Sequence, residues 1–508
     1  MSDLLTRLSA WKPFRVLVVG DFMLDETVLG DAERLTGDAP VPVLHVRETR
    51  RTPGGAASVC MNLAAMRGSV MALGLVGDDA EGRALALALA EAGVDVSGLV
   101  VDPSRPTTVK RSLVGRAQHR HPQKMFRVDV EAREPIGAEA EERLLRVFDA
   151  ALAGADVVAL EDYDKGVFRG GLARKLIDRC RARGKDVLVD PARLSDYGRY
   201  RGATCITPNR TEAETATGLP THPSADMEHN AELAAALQSA HDIEAVVLTL
   251  DRHGALLLER GQRPLTVPTV AREVYDVTGA GDMVLAALAA ARANGAGWPD
   301  AVRLANTAAG LEVEVFGVQP IPIERIHAQV LLEQRRLSGK TRTLEEALVE
   351  AAAARREGRR VVFTNGCFDV IHAGHIRLLQ QAARLGGLLV VGLNSDESVK
   401  RLKGPARPVH GAADRASILG ELRSVDVVVV FEEDTPVRLL EALRPDVLVK
   451  GGDYTKDRVV GGAFVESYGG EVVLIPALEG RSTTEAIARM RSGTPAGASC
   501  DATAALGA

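Results

Sequence analysis

Residues 360–384 read RVVFTNGCFDVIHAGHIRLLQQAAR. The stretch opens with a β-branched apolar run, Arg360–Thr364, passes through a polar turn, and enters a helical pattern, IRLLQQAARLG. A run that is apolar throughout, not alternating, is what a strand covered by helices on both faces requires. The unit recurs on both sides. Strand-like runs stand at Arg15–Val19, Asp156–Leu160, Asp186–Val189, Ala245–Leu250 and Ala255–Leu258, then at Leu388–Leu393, Asp426–Phe431, Asp446–Lys450 and Glu471–Ile475. Helices between such strands imply right-handed βαβ units and open parallel sheets, so the fold class is α/β with two doubly wound domains.

A break separates the two sets. LEQRRLSGKTRTL, Leu332–Leu344, is polar and basic, and Thr343 with Glu346 three residues on has the spacing of a capping box. The expected domains are 1–332 and 344–491, with a linker at 333–343 and a disordered tail at 492–508, SGTPAGASCDATAALGA. The chain has 508 residues, 46% hydrophobic and 26% charged, the profile of a soluble globular protein. Lys+Arg 62 against Asp+Glu 68 leaves −6, and aromatic residues are 4%, which disfavours a nucleic-acid surface. The five cysteines (Cys60, Cys180, Cys205, Cys367 and Cys500) are scattered without a CxxC pair, so a disulfide framework is not expected and a reducing cytoplasm fits. No apolar run approaches the roughly 18 residues of a membrane span.

In the first half, Asp276-Val277-Thr278-Gly279-Ala280-Gly281-Asp282 leads into a helical stretch. Glycines before a helix let backbone N–H groups converge on an anion. Asp282 at that helix start is placed to accept a proton from an attacking hydroxyl; an ordinary N-terminal carboxylate is the alternative. Asn209-Arg210-Thr211-Glu212 follows a strand and Pro208. Asn209 and Glu212 could organise magnesium through water, or simply cap a helix, and the two roles are compatible. Gly54-Gly55 precede a small-residue helix, and Asp21 and Asp25 follow the first strand, where open α/β sheets bind ligands and carboxylates could hold sugar hydroxyls.

In the second half, His372 and His375 share a face across Gly374 at a helix start. Two imidazoles there can donate to a triphosphate; a metal pair lacks an evident third ligand. Asn394 and Asp396 close the next strand. Lys400, Arg401, Lys403 and Arg407 form a basic cluster beside Gly404, suited to phosphate or to solvent. Lys450-Gly451-Gly452-Asp453-Tyr454 ends a further strand, and Arg481-Ser482-Thr483-Thr484 precedes a helix, where hydroxyls reach phosphate or merely cap.

Residues 14–326 resemble the ribokinase (PfkB-type) carbohydrate kinases through Gly54-Gly55, Asn209–Glu212 and DVTGAGD. That resemblance implies a ribokinase-like α/β sandwich with Asp282 as catalytic base and Gly279, Ala280 and Gly281 as anion hole. It places Asn209, Arg210, Thr211 and Glu212 at the magnesium and phosphate region, and Thr249, Gly254, Asn306 and Gly310 near the nucleotide. The family's usual Asn after GGAA is Ser58 here. Residues 344–491 resemble the HxGH nucleotidyltransferases related to the glycerol-phosphate cytidylyltransferases, with a Rossmann-like fold. By that resemblance His372 and His375 stabilise the transition state, Phe368 lies in the nucleotide pocket, Arg481–Thr484 touch triphosphate, and Lys403 is a charge clamp.

The whole chain resembles the bifunctional heptose kinase/adenylyltransferases of bacterial lipopolysaccharide precursor synthesis. The shared stretches include EVYDVTGAGD, NGCFDVIHAGH, RLKG, FEEDTP and VKGGDY. The resemblance implies ATP as substrate, magnesium, heptose phosphates, a homodimer through the kinase domain and no nucleic-acid or membrane partner. The implied reactions are phosphorylation of D-glycero-D-manno-heptose 7-phosphate at its anomeric oxygen and adenylyl transfer to heptose 1-phosphate. Lys110, Arg111, Arg127 and Lys165 are candidates for the sugar 7-phosphate, each also readable as solvated surface. HRHPQK, His119–Lys124, has no assigned role. Two alternatives stand: the same chemistries on another sugar phosphate or with CTP, or a non-catalytic sugar or nucleotide sensor, which would need neither Asp282 nor HxGH.

Overall fold

A computed structural model describes residues 4–116, 123–222, 226–269, 279–314, 319–334, 339–452 and 455–476. The chain divides into two compact units that meet in sequence between Glu333 and Gln334.

The larger unit holds a nine-stranded sheet and a separate four-stranded sheet. Its strands are β1 (Phe14–Gly20), β2 (Phe22–Leu35), β3 (Pro42–Gly55), β4 (Gly68–Val76), β5 (Asp95–Val101), β6 (Thr108–Arg116), β7 (Gln123–Val130), β8 (Val157–Glu161), β9 (Asp186–Asp190), β10 (Cys205–Ile206), β11 (Ala245–Thr249), β12 (Ala255–Glu259) and β13 (Leu265–Val267). The large sheet runs β13-β12-β11-β10-β9-β8-β1-β4-β5. Its centre is parallel, and its continuous apolar strands are buried on both faces, as the sequence pattern anticipates. One edge departs from the all-parallel expectation: β11, β12 and β13 are antiparallel neighbours. Gly254 makes the reversal possible at φ 90°, and a Cβ there would come within 2.1 Å of the Val267 carbonyl oxygen.

The small sheet, β3-β2-β6-β7, carries no apolar run in β3 or β7. The chain leaves β1 and continues almost directly as β2, so Asp25 lies within a strand and not in a loop. Register then decides which side chains face the same way. Asp25 is opposite Lys110, and Glu26 is opposite Arg111. Because side chains alternate, Asp25 and Lys110 share one face and Glu26 and Arg111 the other.

The smaller unit has one parallel six-stranded sheet of β14 (Thr341–Arg342), β15 (Val361–Gly366), β16 (Leu388–Asn394), β17 (Val427–Phe431), β18 (Val447–Gly451) and β19 (Glu471–Ile475). The order is β14-β17-β16-β15-β18-β19. From β15 the chain builds outward through β16 and β17, then returns to the other side of β15 as β18 and β19. The crevice at the carboxyl ends of β15 and β18 is therefore a topological switch point, where open α/β sheets take their ligands. Thr343 caps the Leu344–Arg356 helix in a full capping box with Glu346. Thr341 and Arg342, just before it, form the edge strand β14, and buried Arg342 donates to Glu350 at 2.5 Å.

Candidate active sites

In the larger unit three carboxylates come together because three neighbouring strands end level. Gly20 is in register with Glu161, and Glu161 with Asp190. Gly279, at φ 89°, starts the Ala280–Ala293 helix and brings Asp282 to the same place. Carboxylate oxygens of Glu161, Asp190 and Asp282 lie within 4.8 Å of one another. Burial pushes Glu161 and Asp190 well above the ordinary carboxylate range; Asp190 adds to the rise at Glu161, and Glu212 to that at Asp190. One Glu161 oxygen, Oε2, is buried with no hydrogen-bond partner among the described residues. Such a crowd of buried like charges suits a divalent cation, and oxygen donors are what magnesium takes. Neither Glu161 nor Asp190 was singled out from sequence. The signal that could have found them is their shared position at the last residue of an apolar run.

Asp282 accepts from the Tyr163 hydroxyl at 2.8 Å. Burial pushes its pKa up to about 6, against the hydrogen bonds that favour its charge. Tyr163 in turn lies under the Lys110 ammonium, 4.3 Å from the ring centroid. Burial lowers Lys110, and Asp25 opposes that. Asp25, Lys110, Tyr163 and Asp282 thus form one wall, with Asp25 itself raised by burial. Gly54 is glycine because the Asp25 carboxylate fills the space: a Cβ would meet its Oδ2 at 2.5 Å. Gly55 adopts φ 56°, and a Cβ would meet the Asp21 carbonyl oxygen at 2.7 Å.

Several expected contacts are differently employed. Asp21 faces the loop after β8, accepting from the backbone of Tyr163 at 2.8 Å and Lys165 at 3.0 Å, so it fastens that loop. Arg111 is on the far face of β6, ion-paired with buried Glu26. Arg127 is paired with Asp129 at 2.5 Å, and Lys165 with Glu131 at 2.5 Å. Lys110 is the basic candidate that the strand register turns toward Asp25.

At the nucleotide side, Asn209 and Glu212 form a complete capping box on the Arg210–Thr217 helix, with Glu212 raised by burial. Asn209 bridges to Thr249. Arg210 is buried and holds the chain around Leu250, donating to its carbonyl at 2.9 Å and to Asp251 at 3.1 Å, which is a structural use. Thr211 is exposed. Asn306 donates to the Val267 carbonyl at 2.8 Å and so tethers β13. Gly281 approaches Asp190, where a Cβ would be 3.3 Å from Oδ2. Asp276, Val277 and Thr278 lie outside the described residues, as does most of HRHPQK.

In the smaller unit β15 ends at Gly366 and the turn carries Phe368 at φ 44°. His372 then caps the Ala373–Ala383 helix: its Nδ1 accepts from the Gly374 N–H at 3.1 Å. The rings of His372 and His375 stack at 3.9 Å, and Phe368 lies 5.2 Å from His375. Burial, with His372 beside it, lowers His375 to about 4, so it is neutral at pH 7. Arg415, fully buried, ties the site together through the carbonyls of Cys367 at 2.6 Å and Asn394 at 2.9 Å and the Asp396 carboxylate at 2.6 Å. Asn394 and Asp396 therefore anchor the site framework. Asp369 pairs with Arg407 and accepts from the Val409 N–H at 2.6 Å. Lys403 is exposed, with no ion pair among the described residues. Ser482, Thr483, Asp453 and Tyr454 lie outside the described residues.

The fold and sites define a sugar kinase of the ribokinase type joined to a nucleotidyltransferase. Residues 14–325 match the pfkB family of carbohydrate kinases, and residues 363–475 a cytidylyltransferase-like family. Phosphofructokinase-2 from Escherichia coli shares the kinase fold at 16% identity and TM-score 0.51, covering 63% of this chain and 100% of its own. The bifunctional protein HldE of Trichlorobacter lovleyi is 43% identical over 476 residues, 94% of this chain and 95% of its own. That of Pelobacter propionicus is 45% identical over 93% and 95%. The chain belongs to the family of these bifunctional HldE proteins. Both family expectations read from the sequence are met. Among the described residues no helix is long and apolar enough to cross a membrane.

Proposed function

We propose that the chain makes ADP-heptose in two steps. The larger unit phosphorylates D-glycero-D-manno-heptose 7-phosphate with ATP to the 1,7-bisphosphate; a separate phosphatase removes the 7-phosphate. The smaller unit transfers AMP from a second ATP to heptose 1-phosphate, releasing pyrophosphate. The observation that carries the kinase step is the Tyr163-held Asp282 beside Lys110 and Asp25. In this reading the anomeric hydroxyl gives its proton to Asp282 as its oxygen attacks the γ-phosphorus, and ADP leaves. Asp25 holds sugar hydroxyls, and Lys110 offers charge to the 7-phosphate, with Arg127 and Lys165 nearby. Glu161 and Asp190, with Glu212 through water, would hold magnesium, which neutralises charge on the transferred phosphates.

In the transferase step an oxygen of the sugar 1-phosphate attacks the α-phosphorus. His372, His375 and the helix they begin donate to the developing negative charge, and pyrophosphate departs. Free buried cysteines at 60, 180 and 205 suit a reducing cytoplasm, where ATP is supplied.

Protein supplied with magnesium, ATP and heptose 7-phosphate should release ADP at once. Pyrophosphate and ADP-heptose should follow only when phosphatase is added. ADP without a later nucleotide sugar would retain the kinase and reject the adenylyl step. No ADP would reject the heptose reading. We further propose a homodimer through the larger unit, supported by Phe126, Val128 and Val130, apolar yet exposed along β7. Light scattering should give twice the 53.9 kDa chain mass; a monomer mass would reject the dimer.

A further inference from the structure

Lys450 is a lysine with no ion pair among the described residues. It stands at the carboxyl end of β18, beside the end of β15, at the switch point of the smaller sheet. Its Nζ donates to Asn365 Oδ1 at 2.9 Å and reaches the Asn365 carbonyl at 3.4 Å. Both acceptors are neutral. Among the described residues no carboxylate is within ion-pair distance, whereas Arg407 has Asp369 and Arg415 has Asp396. Lys450 is half-buried; burial lowers its pKa, and the Cys367 thiol opposes that, which puts the lysine beside the turn that follows β15. Buried cations are ordinarily paired, so the missing partner is to be sought in a ligand.

The neighbourhood says which ligand. Gly451 packs under the Ala373–Ala383 helix, where a Cβ would come within 3.1 Å of Leu378. Leu378 is three residues from His375, so the two side chains lie on one helical face. Lys450, one residue earlier, turns to the opposite face of the sheet together with Asn365, and it meets the histidine site at the strand ends, where Asn365 leads into the turn through Cys367 and Phe368. The basic cluster lies beyond β16, on the other side of β15; Lys400, Arg401 and Arg407 in it are paired with Glu397, Asp434 and Asp369, and Lys403 has no ion pair among the described residues. In-line displacement at an α-phosphorus puts the attacking phosphate and the leaving pyrophosphate on opposite sides. Two anions need two cationic flanks, one for a single phosphate monoester and one for the more highly charged pyrophosphate.

We infer that Lys450, oriented by Asn365, binds the phosphate of the acceptor, a sugar 1-phosphate, while the cluster beyond β16 takes the pyrophosphate. This rests on the adenylyl-transfer reading of the same site. The attacking oxygen stays on the acceptor phosphate throughout, and Lys450 neither gains nor loses a proton.

The test is Lys450→Met, which keeps the stem and removes the charge, beside Lys450→Arg, which keeps the charge. Both are made in the full chain, with kinase turnover and a thermal melt as folding controls. A charge-assisted contact of this kind is worth roughly ten- to a hundredfold. The Met variant should raise KM for heptose 1-phosphate at least tenfold and leave KM for ATP within about twofold, with Arg recovering most of the loss. A rise confined to ATP, or no change in either, overturns the assignment. Should the unaltered chain adenylylate no heptose 1-phosphate, the functional reading falls separately. The lysine is then judged by calorimetric binding of inorganic phosphate, which the Met variant should weaken tenfold; equal binding by both chains overturns it.

Discussion

Asp282 is subject to opposing forces. Burial and neighbouring carboxylates favour its protonated form, while the Tyr163 hydroxyl favours its charge, and the balance lies about 6. A carboxylate so placed is basic enough to take a proton yet still ionised at pH 7. Asp282→Asn should lower kinase turnover by about 10²- to 10⁴-fold while ATP binding, followed by calorimetry, stays within about threefold. An unchanged kcat would reject the base assignment. His375 is neutral for the opposite reason, since burial beside His372 disfavours its cation. His375→Ala should cost the transferase about 10²- to 10³-fold and leave kinase turnover intact. Loss of both activities would mean that His375 is needed for folding. Lys110 and Arg111 show what single residues conceal: adjacent and alike in charge, they point to opposite faces of β6, and parity becomes readable only once β2 supplies a register.

At the scale of elements, the Trp298–Glu312 helix ends in a carboxyl group buried in the core. Glu312 is 1% exposed, its oxygens have no fully formed hydrogen bond among the described residues, and its polar neighbour is Asn62 of the Ala56–Ala65 helix. Burial raises Glu312 to about 9, with Asp282 adding to the effect. The folded form thus keeps a proton that the unfolded chain releases near 4.5. Stability attached to this group is complete below pH 4.5 and declines as pH rises toward 9. Glu312→Gln should therefore raise the Tm of the larger unit by a few °C at pH 8, and the gain should shrink toward pH 5. A gain that does not vary with pH would assign the effect to packing. Elements differ in how plainly the sequence announces them. Apolar strands such as β8, β9 and β16 are evident because both faces are buried. β3 is not: its residues Pro42–Gly55 are polar and largely exposed, and what makes them a strand is pairing with β2. The two capping boxes, at Asn209 and Thr343, were legible because their chemistry is local. The Glu161–Asp190–Asp282 cluster was not, because it is assembled by strand register across more than a hundred residues.

For the whole molecule, both units use one plan. From a central strand, β1 in one and β15 in the other, parallel strands build to one side and then return to the other, leaving a crevice where the two directions part. Two complete crevices make the activities separable. In the proposed route the bisphosphate leaves the first site to be dephosphorylated, and that route calls for no private passage between sites. An equimolar mixture of Asp282→Asn and His375→Ala chains, with phosphatase, should form ADP-heptose at about half the rate of the same amount of unaltered protein, as simple dilution of each site requires. A mixture that forms none would show that both sites must act within one chain.

The cap on the second helix has one more consequence. A ring nitrogen that accepts a hydrogen bond through its lone pair carries no hydrogen, so the Gly374 N–H holds neutral His372 in the tautomer with its hydrogen on Nε2. The bond that begins the helix therefore also selects which nitrogen can donate. The site meets its nucleotide with that choice already made, and no proton has to move within the ring before the phosphate arrives.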